Sequence, residues 1–124
     1  MTVTRSLVSV VDDDESIRES LPDLLEQLGY QAQAFTSAEE FLASDSLVHA
    51  RCLILDIAMP GMSGPDLQRE LTLRGLKIPI VFITANEDKG IRQHLIEQGA
   101  VECLFKPFSD AALLEAVDAA LRVN

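Results

Sequence analysis

The sequence predicts an α/β fold, a doubly wound parallel sheet of five strands with helices on both faces. Three observations predict it. Five short apolar runs alternate with five stretches of helical spacing, and strictly alternating strands and helices assemble as a parallel sheet through right-handed crossovers. The run Leu53-Ile54-Leu55 is apolar without a break, which suits a strand covered on both faces. Four of the five runs stop at a polar residue that burial alone does not explain. At 124 residues, 48% of them hydrophobic, the chain suits one domain around one core.

The elements follow in order. Leu7 to Val11 is the first strand and ends at Asp12. Glu15 to Leu28 has Ile17, Leu21, Leu24, Leu25 and Leu28 on one helical face, acidic residues at its start and Gly29 as its stop. Gln31 to Phe35 alternates glutamine with alanine and reads as an edge strand. Thr36 or Ser37 caps a helix that carries Phe41 and Leu42 and ends near Ser44. Cys52 to Leu55 is the third strand, and Asp56 stands at its carboxyl end. Pro60-Gly61 then turns the chain into a helix opened by Pro65, carrying Leu67, Leu71 and Leu73 and closed by Gly75. Pro79 to Ile83 is the fourth strand and ends at Thr84. Asp88 to Gln98 is a weakly apolar helix with Ile91, Leu95 and Ile96, stopped by Gly99. Val101 to Phe105 is the fifth strand and ends at Lys106-Pro107. Ser109 caps a last helix with Leu113, Leu114, Val117 and Leu121.

Composition narrows the function. A formal net charge of -10 argues against nucleic-acid binding by this chain, because such affinity comes largely from Lys and Arg on phosphates. No apolar run approaches the ~20 residues that cross a bilayer, and no signal peptide is visible; a cytoplasmic protein without membrane contact is expected. Thr2 to Arg5 reads as a polar lead-in. Cys52 and Cys103, one strand apart in the expected sheet, suit buried reduced thiols. His49 and His94 have no cysteine at zinc-ligand spacing and suit ordinary surface positions.

The chemistry is expected where the strands end. In a parallel sheet all carboxyl ends share one edge, and ligands bind there. Asp12, Asp13, Asp56, Thr84 and Lys106 therefore meet although they are far apart in sequence. Crowded carboxylates raise one another's pKa, and a divalent cation removes that conflict. An all-oxygen set favours Mg²⁺, which takes one or two carboxylates together with a phosphate oxygen. Lys106 adds a positive charge and Thr84 a hydroxyl, which makes a clamp for a phosphoryl group on Asp56.

These residues resemble those of the receiver domain of two-component response regulators, over essentially the whole chain. The matching pieces are Val10-Val11-Asp12-Asp13, the stretch from Leu55 to Gly64, Ile83-Thr84-Ala85, Gly99-Ala100 and Lys106-Pro107-Phe108. Met59-Pro60-Gly61-Met62-Ser63-Gly64 looks most like the subfamily with a C-terminal LuxR-type helix-turn-helix output. The resemblance implies a flavodoxin-like sheet in the order 2-1-3-4-5 and a cis Lys106-Pro107 peptide. It implies that Asp56 is the phosphoacceptor and that a sensor histidine kinase is the donor. Asp13, Asp56 and the backbone carbonyl of Ala58 would bind Mg²⁺ directly, and Asp12 through water. Thr84 and Lys106 would bind phosphoryl oxygens, flanked by Ala58 and Asn86. Ala58 is small and leaves room for an attacking water, so a short-lived phosphoryl-Asp56 is expected. Residues 1–124 are expected to form a single receiver domain, with a transcriptional output domain outside the sequence; a stand-alone phosphorelay protein is the other option. Phosphorylation would promote a homodimer.

One position departs from the family pattern. The residue three before the lysine is usually Phe or Tyr, whose ring swings inward on activation; here it is Cys103. A thiol cannot fill the volume of a ring, so the signal is expected to pass through the loop from Thr84 to Asp88 and the helix after it. Two other functions compete. A phosphorylation-independent interaction module would use the same fold without the chemistry. A phosphatase of the haloacid dehalogenase type would use Asp12-x-Asp14, Thr84 and Lys106, but it gives Asp56 no task.

Overall fold

A computed structural model of the chain describes residues 5–86 and 88–122. The lead-in at residues 1–4 and Glu87, within the expected signalling loop, lie outside the described residues. The elements run β1 (Leu7–Val11), α1 (Glu15–Gln27), β2 (Gln31–Phe35), α2 (Ala38–Leu42), α3 (Ser46–His49), β3 (Cys52–Asp56), α4 (Gly64–Leu73), β4 (Ile80–Thr84), α5 (Lys89–Glu97), β5 (Glu102–Phe105) and α6 (Asp110–Arg122). The five strands form one parallel sheet in the order β2-β1-β3-β4-β5, as the resemblance implied.

Side chains alternate across each strand, so one sheet feeds two cores. On one face Val11, Leu53, Leu55 and Phe82 meet Phe41 of α2, Leu67 and Leu71 of α4 and Leu95 of α5. On the other, Val8, Val10, Ile54, Val81 and Ile83 meet Leu21 and Leu25 of α1 and Leu113 and Val117 of α6. Each such side chain contributes roughly 1.5–3 kcal/mol by leaving water. Central β3 is buried at every residue, whereas edge β2 exposes Gln31 and Gln33.

The helix starts are pinned at the carboxyl-end edge of the sheet. Asp14 caps α1 by accepting from the Ser16 N–H, Ser37 caps α2 through Glu40, and Asp88 caps α5 through Gly90. At α4, Ser63 and Asp66 bond each other's backbone in a capping box. Each cap satisfies an N–H that its helix start would otherwise leave unpaired.

One expectation needs correction. The sequence reading placed one helix between β2 and β3; the structure has a second, the single turn α3, with Ser46 buried. Leu73, the last residue of α4, lies in the helix as expected and is 82% exposed. Two residues past Leu71, it lies about 200° around the helix from it. The other minor expectations hold. Cys52 and Cys103 are free and buried with β4 between their strands, and His49 and His94 are exposed. At the β5 edge, Arg92 of α5 pairs with Glu102 at 2.6 Å, and Glu102 also accepts the Cys103 N–H at 2.9 Å.

Candidate functional site

The site begins where β1 stops. The Asp12 N–H donates to Phe35 O at 3.2 Å, so the chain stays aligned with β2 for one residue past the strand. That alignment turns the Asp12 side chain inward and leaves Asp13 facing solvent. Asp12 is completely buried. Its Oδ1 accepts the Asp14 N–H at 2.9 Å, and Arg18 Nη1 donates to its carbonyl at 3.1 Å.

From the far side of the sheet comes Lys106. Its N–H donates to Thr84 O at 2.7 Å, which continues the β4–β5 pairing, and its peptide bond to Pro107 is cis. Its Nζ lies 2.9 Å from Asp12 Oδ2 and 3.8 Å from Asp56 Oδ1. Asp56 closes β3 and is 7% exposed. One carboxylate oxygen from each of Asp12, Asp13 and Asp56 lies within 4.8 Å of the others. The Lys106 ammonium thus stands beside two of three crowded carboxylates.

The crowding has an electrostatic cost. Burial, then the Asp12 carboxylate, pushes the Asp56 carboxyl up to about 7; Lys106 pulls the other way, and Asp13 adds to the rise. One ammonium does not balance three carboxylates. The oxygen donor set, its spacing and this surplus of negative charge fit a hard divalent cation such as Mg²⁺.

Thr84 ends β4 on the same edge and is buried; its hydroxyl oxygen accepts the Asn86 N–H at 3.0 Å, so its own proton remains available to donate. Ala58 and Asn86, two residues beyond Asp56 and Thr84, are both exposed. Cys103 is not at the edge. It pairs in register with Phe82, is buried in the core facing α5, and has its thiol pushed up by burial.

Two residues that the sequence reading did not single out for the site contribute to it. A Cβ at Gly64 would fall 2.4 Å from Asp56 O and 3.1 Å from Ile57 Cα, so glycine there lets α4 start against the backbone of Asp56. Glu39, on α2, reaches the loop after Asp56 and accepts the Met62 N–H at 3.4 Å. Gly64 lies inside the motif stretch already recognised; Glu39 had no local signal.

Residues 8–118 match the response regulator receiver domain family. The chain belongs to that family. This receiver domain is 44% identical over 117 residues to nodulation protein W of Bradyrhizobium diazoefficiens, covering 94% of the chain and 52% of that protein. It is 40% identical over 123 residues to transcriptional regulatory protein TdiR of Thauera aromatica, covering 99% of the chain and 54% of that protein. The receiver domain therefore spans about half the length of these relatives. Among solved structures, the response regulator StyR superposes with a TM-score of 0.87 at 44% identity, over 98% of this chain and 61% of that one. FixJ-N superposes with a TM-score of 0.85 at 34% identity, over 97% and 96%. Among the described residues no helix is long and apolar enough to cross a membrane.

Proposed function

We propose that this receiver domain is a phosphoacceptor: Asp56 takes a phosphoryl group from a phosphohistidine of a sensor histidine kinase. The P–N bond of the donor breaks as an Asp56 Oδ–P bond forms, and the histidine leaves with its ring nitrogen free. The observation that carries the reading is the reach of Lys106 Nζ to both Asp12 and Asp56. An ammonium so placed opposes charge on the transferring oxygens, and the Thr84 hydroxyl is a further donor to them.

Asp12, Asp13, Asp56 and the Ala58 carbonyl would hold Mg²⁺. When bound, it supplies positive charge against the three carboxylates and the phosphoryl oxygens. The chain's own residues do the rest. Asp56 supplies the attacking oxygen, Lys106 and Thr84 hold the phosphoryl group, and the small Ala58 leaves a path for the water that later removes it. The domain is not an enzyme acting on a separate substrate; its reaction is on itself.

Relatives that are transcriptional regulators support an output domain acting on transcription, outside these residues. On this reading the kinase is met in the cytoplasm. Phosphorylation favours a homodimer through α5, β5 and α6, and DNA is contacted only by the output domain. With Cys103 in place of a ring, the state of Asp56 reaches that face through residues 84–88 and α5.

Incubation with Mg²⁺ and acetyl phosphate tests the reading by intact-protein mass. One phosphoryl adduct per chain is expected, absent in Asp56→Asn and without metal, and decaying faster in wild type than in Ala58→Arg. Continuous phosphate release that depends on Asp12 would instead make the protein a phosphatase. No adduct under any donor would leave an interaction module.

A further inference from the structure

We infer that Glu39 is a positioning residue: from α2 it holds the loop after Asp56 in the place where its backbone can serve the cation site. The inference rests on the phosphoacceptor reading and deepens it.

The loop is residues 57–63, and its two ends are secured locally. Gly64 N–H donates to Ile57 O at 2.9 Å, and Ser63 and Asp66 bond each other at 3.1 and 3.2 Å. Met59 is tucked into the core. At the tip Pro60 and Gly61 are exposed while Met62 packs in part against the core, and there the chain is met by a side chain from 23 residues upstream. Glu39 Oε2 accepts the Met62 N–H at 3.4 Å. The same oxygen lies only 2.8 Å from where a Cβ on residue 61 would stand, with Cδ at 3.7 Å. The carboxylate is therefore laid across the Cα of Gly61, which also has φ of +75°. Glycine at 61 serves both the turn and the contact.

The anchor at the other end is firm. Glu39 lies in the first turn of α2, just after the Ser37 cap, and Phe41 in the same helix is fully buried, edge-on to Phe35 at 5.5 Å. Glu39 itself is exposed and has no part in the core. An exposed carboxylate normally stays in water; this one spans the gap from α2 to a backbone N–H of the loop.

The consequence falls on Ala58. A carboxylate ligand can adjust by rotating its side chain, but a backbone carbonyl can move only with its loop. Sites of this kind need their groups held within roughly half an ångström. A tether at the loop tip restricts exactly that freedom, so its loss loosens the cation rather than the fold.

The test compares Glu39→Ala with Glu39→Gln in this receiver domain, by Mg²⁺ titration and amide exchange followed by NMR. In Glu39→Ala the Mg²⁺ dissociation constant rises about threefold, less than a hydrogen bond of ordinary length is worth, and the Met62 amide exchanges faster. Glu39→Gln keeps an oxygen acceptor and stays within about twofold of wild type in both readouts. Wild-type affinity or unchanged Met62 exchange in Glu39→Ala overturns the inference. So does Glu39→Gln as weak as Glu39→Ala, which would make the effect one of charge. Failure confined to the variants leaves the phosphoacceptor reading standing; a wild type that takes up no Mg²⁺ removes both.

Discussion

The two ends of the sheet use glycine for different reasons. At the amino end, Gly29, Gly75 and Gly99 close α1, α4 and α5 with φ of +101°, +72° and +110°, and a Cβ on any of them would meet nothing within 4 Å. At the carboxyl end, Gly61 and Gly64 are crowded: one lies under the Glu39 carboxylate, the other against the carbonyl of Asp56. The first group answers only to a backbone angle. The second answers to what has been assembled around one carboxylate. The same division holds for charge, since Asp12 and Asp56 are both buried and both belong to the carboxyl end.

The sharpest way to break this comparison is to put a methyl group at each end. Gly64→Ala forces the start of α4 off β3 and should cost about 3 kcal/mol in urea unfolding, in the upper range for overpacking. Gly29→Ala meets only backbone strain and should cost about 1 kcal/mol. Equal costs would erase the distinction between the two ends.

Next in size is Lys106→Met, which keeps the stem and removes the charge. It leaves the Asp12 carboxylate buried without its ammonium partner, and should cost about 2 kcal/mol in metal-free protein by the same measurement. A neutral result would mean that the ammonium and the carboxylates merely coexist.

The smallest effect is a pH dependence. The Asp56 carboxyl titrates at about 7 in the fold against an ordinary 3.8, so the fold favours its neutral form. That stabilisation is complete below the unfolded value and is lost as pH rises through the folded one. Asp56→Asn removes the titration. Without metal, its Tm should gain on wild type by on the order of 5 °C between about pH 4 and about pH 8, allowing for partial solvent screening. A gap that narrowed over that range would show that Asp56 is stabilised as the anion.

Much of this was legible in the chain, for reasons that also mark the boundary. β1 and β2 run over the residues expected because an apolar or alternating run states its own limits. Asp12, Asp56, Thr84 and Lys106 could be placed together because each ends such a run, and parallel strands bring like ends to one edge. The turn α3 is four residues long, too short for a period to show. The roles of Gly64 and Glu39 are contacts across space, over 8 residues to Asp56 and 23 to Met62; the motif held Gly64 without its reason, and no local pattern records Glu39.

One feature away from the site bears on how copies of the domain can associate. β5 is an outer strand, and outer strands can act as templates for further strands. Here the Cys103 amide is already bonded to Glu102, which Arg92 holds in turn. A second copy seeking to extend the sheet along β5 has first to dislodge an ion pair. An edge amide occupied in this way is one donor fewer for a strand added along β5.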